Sequence, residues 1–141
     1  MQGSVTVGNP EAETMQRVAA ECVNLVGEQF GRQLDWSLAS LGALDEVCAQ
    51  LTADGPLAGQ RLELWWQLIG AYAGEVTIRL YEGQWIIDDE RGPRISALGI
   101  TGFPFSTARR ILSGEQNKSL ASFARALPAI AEHSRQDTTP T

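Results

Sequence analysis

A single histidine, His133, and two cysteines, Cys22 and Cys48, are all the imidazole and thiol chemistry carried by this 141-residue chain. One imidazole excludes a histidine-based catalytic triad and a multi-histidine metal site within one chain. Two widely separated thiols supply neither a disulfide framework nor a zinc motif. Each falls on an apolar stripe, where free cysteine behaves as a small hydrophobe, so a core role is preferred to a redox pair. Positive charge is scarce as well: 11 Lys and Arg against 17 Asp and Glu leave a net charge of −6, which argues against nucleic acid or an anionic membrane as the main partner. The longest apolar stretch, Leu62 to Val76, is interrupted by Glu63, Gln67 and Glu75 and falls short of the ~20 residues that span a bilayer. Met1 to Pro10 lacks the basic and apolar regions of a secretory signal. Nor is there a G-x-S-x-G elbow, a Walker-type phosphate loop or a dinucleotide fingerprint after a strand. The expectation is a soluble, cytoplasmic protein that needs no cofactor and no metal.

What is present suits one folded domain. The length is that of a single core, and 43% hydrophobic with 20% charged residues is an ordinary globular balance. Asn9 and Pro10 read as the cap and first residue of a helix, with Glu11 and Glu13 favouring its positive end. Met15, Val18, Ala19, Cys22, Leu25, Val26 and Phe30 give it an apolar face, and Gly31 a stop. A link carrying Trp36 leads to a second helix, for which Ser40 is the expected cap and Leu41, Leu44, Cys48 and Leu51 the buried stripe. From Gly59 to Ala73, apolar residues cover most of a helix circumference, which predicts a central helix wrapped by neighbours. Gly70 suggests close backbone packing there, and Gly74 a stop. Trp65 and Trp66 point about 100° apart on such a helix and cannot both face one narrow seam; burial of both under different neighbours is preferred to one of them lying near the surface.

The period then changes. Val76, Ile78 and Leu80 alternate with polar partners, which predicts a strand. Glu82 and Gly83 form a turn into a second strand over residues 84 to 88, and residues 94 to 100 a third. Connections this short require an antiparallel meander. Pro104 to Leu112 reads as a short helix closed at Gly114. Ser119 caps a last helix that Pro128 must kink or end. The fold class is therefore α+β: several helices on one small sheet of about three antiparallel strands. The expected layout is a flexible segment 1 to 9, a domain over 10 to 132 and a disordered tail over 133 to 141. Acidity belongs to the helical half, since residues 1 to 74 hold nine acidic and three basic residues whereas 75 to 118 hold six of each.

The segment from Leu68 to Val76, read with Arg79, Trp85, Leu34 to Ser37 and Ser40-Leu41, resembles small bacterial domains of unknown function in which a G-A-Y-x-G-E-V helix end runs into a short meander. The resemblance implies an α+β fold and no activity. On the residues themselves, Glu75 is the most interesting carboxylate, placed where full solvation is difficult and flanked by Tyr72, Arg79 and Trp85. It serves either as a structural acceptor at the junction or as a base or ligand contact in a helix–sheet pocket, and the structural role is preferred. Asp88, Asp89 and Glu90 invite a cation but lack the spacing of a calcium loop, and Arg91 and Arg94 compete for them. Arg109, Arg110 and Lys118 lie at the wrong end of their helix for an anion site and complement its dipole instead. A surface Trp66 would suit a partner contact. The preferred function is a non-catalytic protein-interaction or binding module, immunity-like or inhibitor-like in kind, with another protein or a second copy as partner. The alternative is a small enzyme or ligand-binding protein that uses Glu75.

Overall fold

In the computed structural model, residues 10–88 and 91–138 are described. Helix α1 runs Pro10–Phe30, α2 Leu38–Leu51 and α3 Gly59–Tyr81. Strands β1 (Gln84–Ile86), β2 (Arg94–Ala97) and β3 (Ile100–Gly102) follow, then α4 (Pro104–Leu112) and α5 (Leu120–Thr138). The three strands form one antiparallel sheet in the order β1-β2-β3, so the α+β architecture holds. The expected cap Asn9, the segment 1 to 9, Asp89 and Glu90 lie outside the described residues.

Helix α3 is the centre. It packs chiefly on α1 and α4 and also meets α2, α5 and the first two strands. Trp65 is 3% exposed and Ile69 fully covered, as an all-round apolar helix requires. Its end corrects the sequence expectation: residues 76 to 81 are helix, not strand, and the rod is longer than the stop at Gly74 implied. Alternation over six residues is too short to separate the two periods, and local contacts favour the helix. Thr77 Oγ1 donates to the Ala73 carbonyl at 2.7 Å, and Arg79 lies one turn beyond Glu75. Gly74 is small for packing, not for turning: a Cβ there would sit 2.5 Å from Cζ2 of Trp85. The chain turns instead at Glu82, in the left-handed region at φ 54°, with the Gly83 N–H bonded to the Ile78 carbonyl at 3.0 Å.

The meander is accordingly displaced along the chain. The run expected as the third strand splits into β2 and β3 around Leu98 (φ 57°) and Gly99 (φ 76°), with Ala97 paired to Ile100. Two consecutive positive φ values in a two-residue loop are the geometry that matches strand twist.

Two helix starts and one proline inside a helix show how the sequence closes the fold. Ser37, not Ser40, caps α2, its hydroxyl accepting from the Ser40 N–H at 3.1 Å. At the start of α5, Ser119 Oγ accepts from the Ser122 N–H at 3.0 Å. Asp45 reaches over from α2 and takes the Leu120 and Ala121 N–H groups at 2.7 and 3.2 Å. Burial pushes the Asp45 carboxyl up, and these two amides hold it back. Helix α5 continues through Pro128 to Thr138, past the point where regular structure was expected to end. Proline supplies no N–H for the carbonyl four residues back, which is that of Ala124. The Tyr81 hydroxyl fills the vacancy, donating to the Ala124 carbonyl at 2.9 Å.

Candidate functional site

Helix α3 carries four of the five residues singled out in the sequence, and β1 the fifth. Glu75 is 4% exposed. The Trp85 indole N–H donates to its Oε2 at 2.8 Å, and the Arg79 guanidinium lies 3.8 Å from its Oε1. Arg79 also lies over Trp36, its Cζ 4.0 Å from the ring centroid, which adds a cation–π contact. Glu75, Arg79 and Trp85 are thus brought together. The carboxylate joins the end of α3 to the first strand.

Tyr72 lies one turn before Glu75 on the same helix, but its hydroxyl bonds elsewhere. Its ring lies 4.8 Å from Trp36, and its oxygen accepts from the Trp36 backbone N–H at 2.8 Å while meeting Ser40 Oγ at 2.6 Å. Ser40 Oγ donates to the Ser37 carbonyl at 2.5 Å, so the Tyr72 hydroxyl must be the donor to Ser40. The relay runs from the Trp36 N–H through two hydroxyls to a carbonyl. It holds Trp36 at φ 68°, a conformation a bulky residue keeps only when its surroundings impose it. Burial pushes the Tyr72 phenol above its ordinary value, and the bonds to Ser40 and Trp36 pull against that.

Trp66 lies on the other side of Phe105. The Phe105 ring stacks on Trp85 at 5.7 Å and meets Trp66 edge-on, also at 5.7 Å. Gly70 permits the approach, because a Cβ there would stand 2.8 Å from the Phe105 Cα. Arg109, paired with Glu63 at 3.2 Å, covers part of the Trp66 ring. Among the described residues, the Trp66 indole N–H is the buried side-chain donor without a partner, a condition that costs about 1–3 kcal/mol relative to a satisfied group.

Beside Trp66 opens a cleft of about 300 Å³ lined by Met15 and Val18 of α1, Trp66 and Gln67 of α3, Arg91 and Pro93 of the loop before β2, Phe103, and Phe105 and Ser106 of α4. These described lining residues include no carboxylate, thiol or imidazole. Phe103 at its edge is 37% exposed. The sequence signals Trp66 but not the rest, because the walls come from four separate parts of the chain. Several other charged residues singled out in the sequence are engaged in ion pairs. Asp88 takes a two-pronged pair from Arg94 at 3.1 and 2.8 Å. Arg110 and Lys118 both face Glu115 at 3.8 Å. Cys22 and Cys48 are buried free thiols, and burial pushes the Cys22 thiol up to about 12. The described residues contain no group of three or more metal-ligating side chains and no helix long and apolar enough to cross a membrane.

Comparison with known proteins returns no family model, no curated protein and no solved structure that matches this chain.

Proposed function

We propose that this protein is a non-catalytic, cytoplasmic protein-interaction module whose Trp66 cleft receives an apolar side chain of a partner protein. The observation that carries this reading is the cleft: about 300 Å³, walled by Met15, Val18, Trp66, Pro93, Phe103 and Phe105. That volume is at the lower end of the ~300–1,000 Å³ usual for ligand pockets, and buried aromatic and aliphatic anchors carry most interface energy. The reading in which Glu75 acts as a base or ligand contact is less well supported, since both its oxygens are engaged by Trp85 and Arg79 and the side chain is almost wholly covered.

Photo-crosslinking tests the proposal. A benzophenone amino acid at position 103 should give a discrete adduct in cells. The same group at Leu80, which is 39% exposed on α3, should not. An adduct of twice the chain mass would make the partner a second copy. Equal adduct patterns from both positions would contradict the proposal.

A further inference from the structure

We infer that the seam between α1 and α3 is a second docking surface, and that its occupant is an amphipathic helix of a partner protein with basic residues seven apart on either side of an apolar one. The seam opens into a hollow of about 290 Å³ lined by Glu21, Asn24, Leu25 and Glu28 of α1 and by Leu64 and Leu68 of α3. None of these residues lines the Trp66 cleft, so the inference stands apart from that reading. Leu68 is covered, Leu25 half-buried and Leu64 50% exposed. A lone exposed leucine needs no explanation, but one that walls a hollow with two others leaves apolar area that a partner can take from water.

Charge decides the kind of partner. Glu21 and Glu28 are exposed at the hollow, and neither forms an ion pair with a described residue. The basic residues nearest along the chain are engaged elsewhere, Arg17 with Thr14 and Arg32 with Glu46, and Arg61, a turn before Leu64, does not line the hollow. Two carboxylates beside an apolar floor favour a cation carried by an apolar body and repel an anionic surface. Spacing selects the secondary structure. Seven residues carry Glu28 two turns beyond Glu21 on nearly the same face, about 10.5 Å along the axis. A helix with Lys or Arg at positions i and i+7 repeats that distance, and an apolar side chain at i+3 or i+4 falls between them. A strand would place same-face residues about 6.6 or 13 Å apart. A second copy does not supply such a helix: the only basic pair seven apart in the sequence, Lys118 and Arg125, brackets Leu120 and Ala121, which are buried.

The test is a titration of the whole protein, followed by nuclear magnetic resonance of its backbone amides, with end-blocked alanine- and glutamine-based peptides of about 18 residues, long enough to form a helix. The first carries two Lys seven apart that bracket two Leu. The second has Gln in place of both Lys, and the third has one Lys moved two positions, onto the opposite face. The first should saturate with shifts centred on Leu25 and Leu64. It should bind about tenfold more tightly than the second at low ionic strength, the range of two partly exposed ion pairs, and that advantage should shrink in about 0.3 M salt. The third should lose most of it. Glu21→Gln combined with Glu28→Gln should abolish it, and Leu64→Ser, at an exposed site, should weaken the first two peptides alike. Phe103→Ser should change none of them, which separates this surface from the Trp66 cleft. Equal binding of the first and third peptides would overturn the helical spacing in favour of unlocalised charge attraction. Equal binding of the first and second, unaffected by the paired Gln substitutions, would overturn the basic partner. Shifts centred on Phe103 instead, or no saturation at millimolar concentration, would overturn the surface itself.

Discussion

The two sides of Phe105 are built from the same materials and finished differently. Toward Trp85, the indole N–H has Glu75, Glu75 has Arg79, and Arg79 lies on Trp36. Toward Trp66, the buried indole N–H has no partner among the described residues and the aromatic wall opens into a cleft. Satisfied buried networks fix one arrangement, whereas an open apolar cleft is a place where a partner adds stability. The contrast teaches that the residue with the most conspicuous chemistry, Glu75, is part of the scaffold. On the proposed reading, the less conspicuous tryptophan marks the surface that meets a partner.

The sharpest way to break the closed side is to crowd it. Gly74→Ala adds a methyl where Trp85 already lies, and overpacking of this kind costs about 1–3 kcal/mol or more, offset in part by the better helix propensity of alanine. A net loss of about 2 kcal/mol or more is expected in urea denaturation. Next comes the carboxylate. Glu75→Ala strands the buried Trp85 N–H and should cost about 2–3 kcal/mol, whereas Glu75→Gln keeps an acceptor and should cost about 1 kcal/mol. Neither should alter the affinity of the cleft for N-acetyl-phenylalanine, and a loss of binding in the Gln variant would reinstate Glu75 as a ligand contact. Smaller again, Tyr72→Phe breaks the relay that holds Trp36 and should cost about 1–2 kcal/mol, read from the same unfolding curves. Smallest for stability, Phe103→Ser should move the midpoint by no more than about 0.5 kcal/mol, yet it should weaken N-acetyl-phenylalanine binding several-fold in a titration followed by nuclear magnetic resonance.

Much of the fold was legible. Pro10 and Gly31 bracket α1, the all-round apolar pattern places α3 at the centre, and Pro104 opens α4. Two features were not. The end of α3 lies at Glu82, whose left-handed conformation its side chain does not advertise, after a six-residue alternation that reads equally as strand. The split between β2 and β3 depends on Leu98 taking a left-handed conformation that its side chain does not advertise. Pro128 shows the same limit, since the Tyr81 hydroxyl that lets α5 run on comes from another helix. At the candidate site, the spacing of Glu75 and Arg79 and the angle between Trp65 and Trp66 were readable. The cleft was not, because Met15, Arg91 and Phe103 meet Trp66 only in the fold.

The most direct test of the central claim uses the two indole N–H resonances that mark the two sides. On titration with N-acetyl-phenylalanine, the account predicts a saturable shift of the Trp66 indole signal with Phe103 neighbours moving alongside, while the Trp85 indole signal stays in place. A shift of Trp85 with Trp66 unmoved would contradict it.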